Sequence, residues 1–202
     1  MHIGSASLAV ASIVVALQSP PATAAADNPS TEMIRALEAP GPSPSLGAEA
    51  QVFDRFVGTW DFEGEFTAAD GAKTPLHGFW LFGWVLQGQI MQDLIIEGDL
   101  ATGRQRGTSL RFFETKSNQW RVEWIPPRSG AVVILHGGAE GDRIVLLGYD
   151  FDGAKVRWSF NDVKPDSFLW RGETSADGGK TWRTEQVMTL KRHKEPRTAA
   201  GL

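Results

Sequence analysis

Between Thr59 and Arg192 the sequence repeats one pattern: a short run of alternating apolar and polar residues, then a cluster of Gly, Asp, Asn or Pro. In the first run Trp60, Phe62 and Phe66 alternate with Asp61, Glu63 and Glu65, leaving Gly64 on the apolar side. A period of two places one set of side chains on each face of a β-strand. Comparable runs follow at 73–84, 89–97, 108–113, 120–125, 131–136, 143–149, 155–163, 168–175 and 181–192. Turn signals separate them, among them Asp70-Gly71, Ser117-Asn118, Pro126-Pro127, Gly141-Asp142, Asp152-Gly153 and Pro165-Asp166. No interval is long and helical enough for a parallel crossover, so neighbouring runs are expected to pair as antiparallel hairpins. A meander of about ten strands must close or split into two sheets, because open edges invite aggregation. The expected fold is all-β: a single antiparallel up-and-down β-barrel of about ten strands over residues 52–192, with a two-sheet sandwich as its rival.

All eight tryptophans and eleven phenylalanines lie beyond residue 52, which puts the packed core in the same region. The segment 27–51 reads as a helical and Pro-rich extension. Asn28-Pro29-Ser30-Thr31 starts one short helix, and Pro40, Pro42 and Pro44 stop it. Ser45 is placed to cap a second, whose stripe of Leu46, Ala50, Phe53 and Val57 suits the closing of one barrel end. Ahead of these, Ala6–Leu17 is an apolar run of signal-peptide length, and Ala22-Thr23-Ala24-Ala25-Ala26 offers A-x-A cleavage sites. Residues 1–26 are therefore expected to be a signal peptide, the mature chain secreted or periplasmic, and 193–202 a polar tail. No stable membrane span is expected after cleavage.

The formal net charge of -4, with no long block of either sign, argues against a nucleic-acid groove. Absence of cysteine excludes thiol catalysis, disulfides, zinc–thiolate sites and a lipid-anchored cysteine. His77, His136 and His193 have no metal-ligand spacing, so no metal and no cofactor is expected.

The short helix followed by Gly58-Thr59-Trp60 on a first strand resembles the calycin superfamily, which includes lipocalins, fatty-acid-binding proteins and nitrobindin-like domains. That resemblance implies that Trp60 plugs the barrel floor, with Lys191 or Arg192 packed across its ring as a cation–π partner. The chain is also similar to a group of uncharacterised bacterial lipocalin-like domains. The similarity lies at His77-Gly78-x-Trp80-x-Phe82-Gly83-Trp84-Val85-Leu86, at Gln92-Asp93, and at Pro165-Asp166-Ser167-Phe168 running into Trp170-Arg171-Gly172-Glu173. It implies a barrel and brings no activity with it. A nitrobindin-like reading would make His136 or His193 a haem ligand. Ser175-Ala176-Asp177-Gly178-Gly179-Lys180-Thr181-Trp182 resembles the Asp-box of sialidase-like propellers, but it occurs once and reads as a hairpin turn.

Parity then sorts the side chains. Trp120, Val122 and Trp124 share a face, as do Val156, Trp158 and Phe160, then Phe168 and Trp170, and finally Trp182, Met188 and Leu190. Aromatics from several strands either fill a lumen or line it for one small hydrophobic or amphipathic ligand. The candidate lumen residues are Trp80, Trp84, Gln92, Asp93, Trp124, Trp158 and Trp170. Arg111, Arg121, Glu123, Arg157, Arg171, Glu173, Arg183 and Glu185 read as outward cross-strand ion pairs, the alternative being arginines turned inward onto a carboxylate. The 73–84 run carries apolar residues at both parities, as expected of a strand covered on both sides or of a bulge near Gly83. Asp93, among Met91, Leu94, Ile95 and Ile96, reads either as a lumen acid–base or as the partner of an arginine. Three functional classes follow: a binding barrel, a calycin-type isomerase or decarboxylase using Asp93 and an arginine, and a structural or partner-binding domain. Oligomeric state is not readable from the sequence.

Overall fold

The computed structural model describes residues 29–194; the expected signal peptide and the end of the expected polar tail lie outside them. The barrel strands are β1 (Gly58–Thr67), β2 (Lys73–Val85), β3 (Ile90–Glu97), β4 (Arg104–Glu114) and β5 (Gln119–Ile125). They continue as β6 (Val133–Glu140), β7 (Arg143–Tyr149), β8 (Lys155–Lys164), β9 (Ser167–Ser175) and β10 (Arg183–Arg192). Each pairs antiparallel with its sequence neighbour, and β1 pairs with β10, so the sheet closes as an up-and-down barrel. Closure removes the edges that an open meander would expose, and the sandwich alternative falls away. The strands follow the alternating runs, with two extensions. β4 begins at Arg104 rather than 108, and β6 runs on through Gly137-Gly138 to Glu140. Both extensions lack large apolar residues, and cross-strand pairing alone keeps them in the sheet.

Trp120 and Val122 of β5, Val156 and Phe160 of β8, and Phe168 and Trp170 of β9 are buried in one interior cluster, with Trp124 and Trp158 packed against it. β2 contributes Trp80, Phe82 and Trp84 to the same interior and keeps register with β3 from Gly78 to Val85, with no bulge at Gly83. Phe79, on the opposite parity, is covered from outside by the His193 ring at 5.4 Å, which explains one apolar residue on that face. His193 Nδ1 in turn sits 2.8 Å from Asp61 Oδ1.

Two bulges correct the parity reading. In β10 the register shifts between Thr184 and Gln186, so Trp182 does not share a face with Met188 and Leu190. It stacks instead on the outward Arg157, 4.3 Å from the guanidinium, and Arg157 Nε donates to Glu173 Oε2 at 2.7 Å. The second bulge, between β3 and β4, bears on the site below.

The Asp-box-like turn has the structural role its sequence suggests. Asp177 accepts from the Thr181 N–H at 2.9 Å, the Thr181 hydroxyl at 2.7 Å and the Ser175 hydroxyl at 2.8 Å. These bonds, the Thr181 N–H first, hold the Asp177 carboxyl far below the usual carboxylate range. A depressed folded-state pKa adds stability that is present above the unfolded value and lost as pH falls through the folded one. Asp177→Asn is therefore expected to lower the melting temperature at neutral pH, with the deficit shrinking only in strongly acidic solution. Thermal melts of both proteins across pH check this; a deficit that is flat from neutral to acid would contradict it.

One barrel end is closed by a helical plug. An exposed helix, α1 (Pro29–Leu37), leads through the prolines to a 3₁₀ segment, Pro44–Ala50, and to a short turn, α2 (Gln51–Asp54). Ser43, rather than Ser45, caps the 3₁₀ segment, and Pro44 occupies its first turn. The buried stripe is Ala50, Val52, Phe53 and Phe56, whereas Val57 is exposed. Phe53 meets Trp120 edge-on at 4.9 Å and Phe56 meets Phe168 at 4.9 Å, so the plug fills its end with aromatic contacts.

Candidate functional site

The plug occupies only one end. Toward the other, the barrel keeps a cavity of about 370 Å³, at the small end of ligand-pocket volumes. Four tryptophans on its wall form an edge-to-face chain: Trp124–Trp158 at 6.5 Å, Trp158–Trp170 at 5.6 Å and Trp170–Trp80 at 6.0 Å between ring centroids. Phe62, Leu76, Ile95 and Met188 complete the apolar wall, and Ser109 and Gln186 add polar groups. Two glycines make room for the indoles. A Cβ at Gly107 would lie 2.7 Å from Trp124 Cη2, and one at Gly172 would lie 2.8 Å from Trp170 Cη2. The indole N–H groups of Trp80 and Trp170 are buried without an acceptor, as is that of Trp120 against the plug. Phe66, Glu97, Arg104 and Arg106 border the cavity where the strands end in solvent.

Trp80, Trp124, Trp158 and Trp170 thus come together on one cavity. Trp84 does not join them. It lies at the plugged end, where its Nε1 donates to Asp54 Oδ1 at 2.8 Å. Gln92 has the opposite parity from Asp93; on the outer face its Nε2 donates to Thr108 Oγ1 at 3.1 Å. Asp93 points inward but sits below the cavity wall, 2% exposed.

Asp93 resolves the choice between a lumen acid–base and an arginine partner. Arg111, expected outside, turns inward opposite Val122 and is 1% exposed. Its Nη1 lies 2.6 Å from Asp93 Oδ2. Asp93 Oδ1 accepts the Ser109 N–H at 2.8 Å, so both carboxylate oxygens are engaged. The Arg111 guanidinium is held between Phe53 and Phe82 at 5.4 and 5.3 Å from their centroids. The inward arginine therefore meets a carboxylate of its own chain. Of the expected outward cross-strand pairs, Arg157–Glu173 joins β8 to β9, whereas Arg121–Glu123 and Arg183–Glu185 are pairs within β5 and β10.

The floor is built around Trp60. Its Nε1 donates to the Phe56 carbonyl at 2.7 Å, and of the two candidate basic residues Arg192 lies over its ring at 4.1 Å. Arg192 also donates to the carbonyls of Pro165, Val57 and Arg55 at 3.1, 2.9 and 3.1 Å, stitching the last strand to the plug.

The two candidate haem ligands lie away from the cavity. His136 lies outside beside Glu114 at 3.8 Å, and His193 is committed to Asp61, so neither borders the cavity. Among the described residues no cluster of His, Cys, Asp and Glu could hold a metal ion, and no helix is long and apolar enough to cross a membrane.

No known sequence family and no curated protein matches the chain. Solved structures do. The S-type phycobiliprotein lyase CPES of Guillardia theta superposes with a TM-score of 0.52 at 14% identity, covering 72% of this chain and 93% of its own. Rv2717c of M. tuberculosis superposes with a TM-score of 0.54 at 14% identity, covering 76% and 99%. At such identity the likeness concerns the fold alone, which is the closed ten-strand antiparallel up-and-down barrel described above.

Proposed function

We propose that this barrel is an exported binding module that takes one small hydrophobic or amphipathic molecule into its tryptophan-lined cavity. The carrying observation is the cavity of about 370 Å³ walled by Trp80, Trp124, Trp158 and Trp170 in a barrel whose other end is tightly packed. A barrel built only for stability would have no reason to leave this half unfilled, since unfilled volume weakens packing. Export follows from the apolar N-terminal run and its A-x-A sites.

Gly172→Ala provides the direct test. The new Cβ would force the Trp170 ring to shift along the cavity wall. Binding of N-phenyl-1-naphthylamine, read by its fluorescence, is expected in the wild type and to weaken about tenfold in the variant. Native mass spectrometry of protein taken from its host should show a bound small molecule. A wild-type protein that binds no dye and carries no ligand would end this reading.

A further inference from the structure

We infer that the molecule held in this cavity is a planar aromatic acid whose anionic head rests on Arg104 and Arg106 at the barrel mouth, an inference that rests on the cavity being a binding site. The observation behind it is a break in parity. On β4, Ser109, Arg111 and Phe113 face inward, opposite Trp124, Val122 and Trp120. Unbroken alternation would put Arg104 and Arg106 outside with Thr108 and Leu110. Instead Ile95 pairs with Gly107 and Ile96 with Gln105, which leaves Arg106 as the extra residue of a bulge. The frame moves by one, Arg104 pairs with Glu97, and all three charged groups border the cavity. Bulges re-aim side chains in this way beside binding sites.

Charge at the mouth does not balance. Among the described residues Glu97 is the one acid on the cavity wall, against two arginines. A single oxygen, Glu97 Oε2, takes Arg104 Nε at 3.1 Å and Arg106 Nη1 at 3.3 Å, and Arg104 Nη2 as well. The Arg104 hydrogen bond is the largest influence holding the Glu97 carboxyl below its ordinary range, so Glu97 stays ionised and cancels one positive charge only. Both arginine side chains remain about half exposed, at 50% and 46%, and within reach of a ligand head. A guanidinium fork matches a carboxylate, sulfonate or phosphate in shape as well as charge. Below the mouth, the edge-to-face tryptophans present ring faces and edges to the same space, which suits a flat unsaturated body.

Two dyes that share one body separate this inference from the reading beneath it. 1-Anilinonaphthalene-8-sulfonate carries the acid, and N-phenyl-1-naphthylamine is the same skeleton without it. The wild-type protein is expected to bind the sulfonate about tenfold tighter at low salt, with the advantage shrinking at high salt. In Arg104→Gln/Arg106→Gln the advantage should vanish while affinity for the neutral dye stays unchanged. Glu97→Gln should enlarge it, and Arg143→Gln, at the plugged end, should leave it alone. Gly172→Ala should weaken both dyes, which places them in the cavity rather than on the surface. Equal binding of the two dyes, or a sulfonate advantage that survives loss of both arginines, would overturn the anionic head and leave the cavity reading intact. Failure of both dyes to bind would remove the site itself and this inference with it.

Discussion

Asp93→Ala is expected to destabilise the barrel by about 3–5 kcal/mol, a fall in melting temperature on the order of 10 °C for a domain of this size. The substitution removes the counter-charge of Arg111, which is 1% exposed. It also strips the acceptor from the Ser109 N–H. The guanidinium would remain between Phe53 and Phe82, and a cation–π contact offsets only part of the desolvation of an unpaired charge. Replacing both partners is a different experiment. Asp93→Leu/Arg111→Met fills similar volume with apolar atoms and removes both buried charges, so it should recover most of the loss. A double-mutant cycle by chemical denaturation reads the coupling directly. If Asp93→Ala costs less than about 1 kcal/mol, the pair does not carry the interior charge in the way described here.

The same pair shows where the sequence was readable and where it was not. Strand number, order and most limits were legible because apolar residues alternate with polar ones wherever one strand face is buried. Parity also grouped Trp120 with Trp124, Val156 with Trp158, and Phe168 with Trp170 on shared faces, without telling which face points inward. It failed at Arg111, since a charged residue in an alternating strand looks solvated unless its partner across the barrel wall is known. Asp93 stands 18 positions earlier in the chain (111 − 93), with nothing local to mark the two as partners. It failed again at Gln92, which neighbours Asp93 in sequence and therefore faces the other way. Arg104 and Arg106 were missed for a third reason. The segment Arg104-Gln105-Arg106-Gly107 has no apolar residue to set a phase, and the bulge that turns it inward shows only in the pairing with β3. Trp84 shared its parity with Trp80 and Phe82; its position along the barrel axis, against the plug and Asp54, is what separates it from the cavity. Alternation tells inside from outside and is silent on depth.

Depth along the barrel axis separates Trp60 from the cavity. Trp60→Ala should cost about 3–5 kcal/mol, the usual range for removing a large buried aromatic. Trp60 is 1% exposed, meets Phe168 edge-on at 4.8 Å and anchors Phe56 through its Nε1. Losing the ring also deprives Arg192 of its stacking surface. Arg192→Lys should be milder, because a lysine keeps the charge over Trp60 but cannot serve the carbonyls of Pro165, Val57 and Arg55 together. Both effects are confined to the plugged end, since neither residue borders the cavity. Below its melting temperature, Trp60→Ala should therefore bind N-phenyl-1-naphthylamine with wild-type affinity, whereas Gly172→Ala should weaken that affinity while melting above Trp60→Ala. Measuring both quantities on both variants distinguishes a barrel with a structural floor and a separate binding half from one uniformly packed interior. In the uniform case the losses of stability and of binding would track each other, and the division proposed here would be wrong.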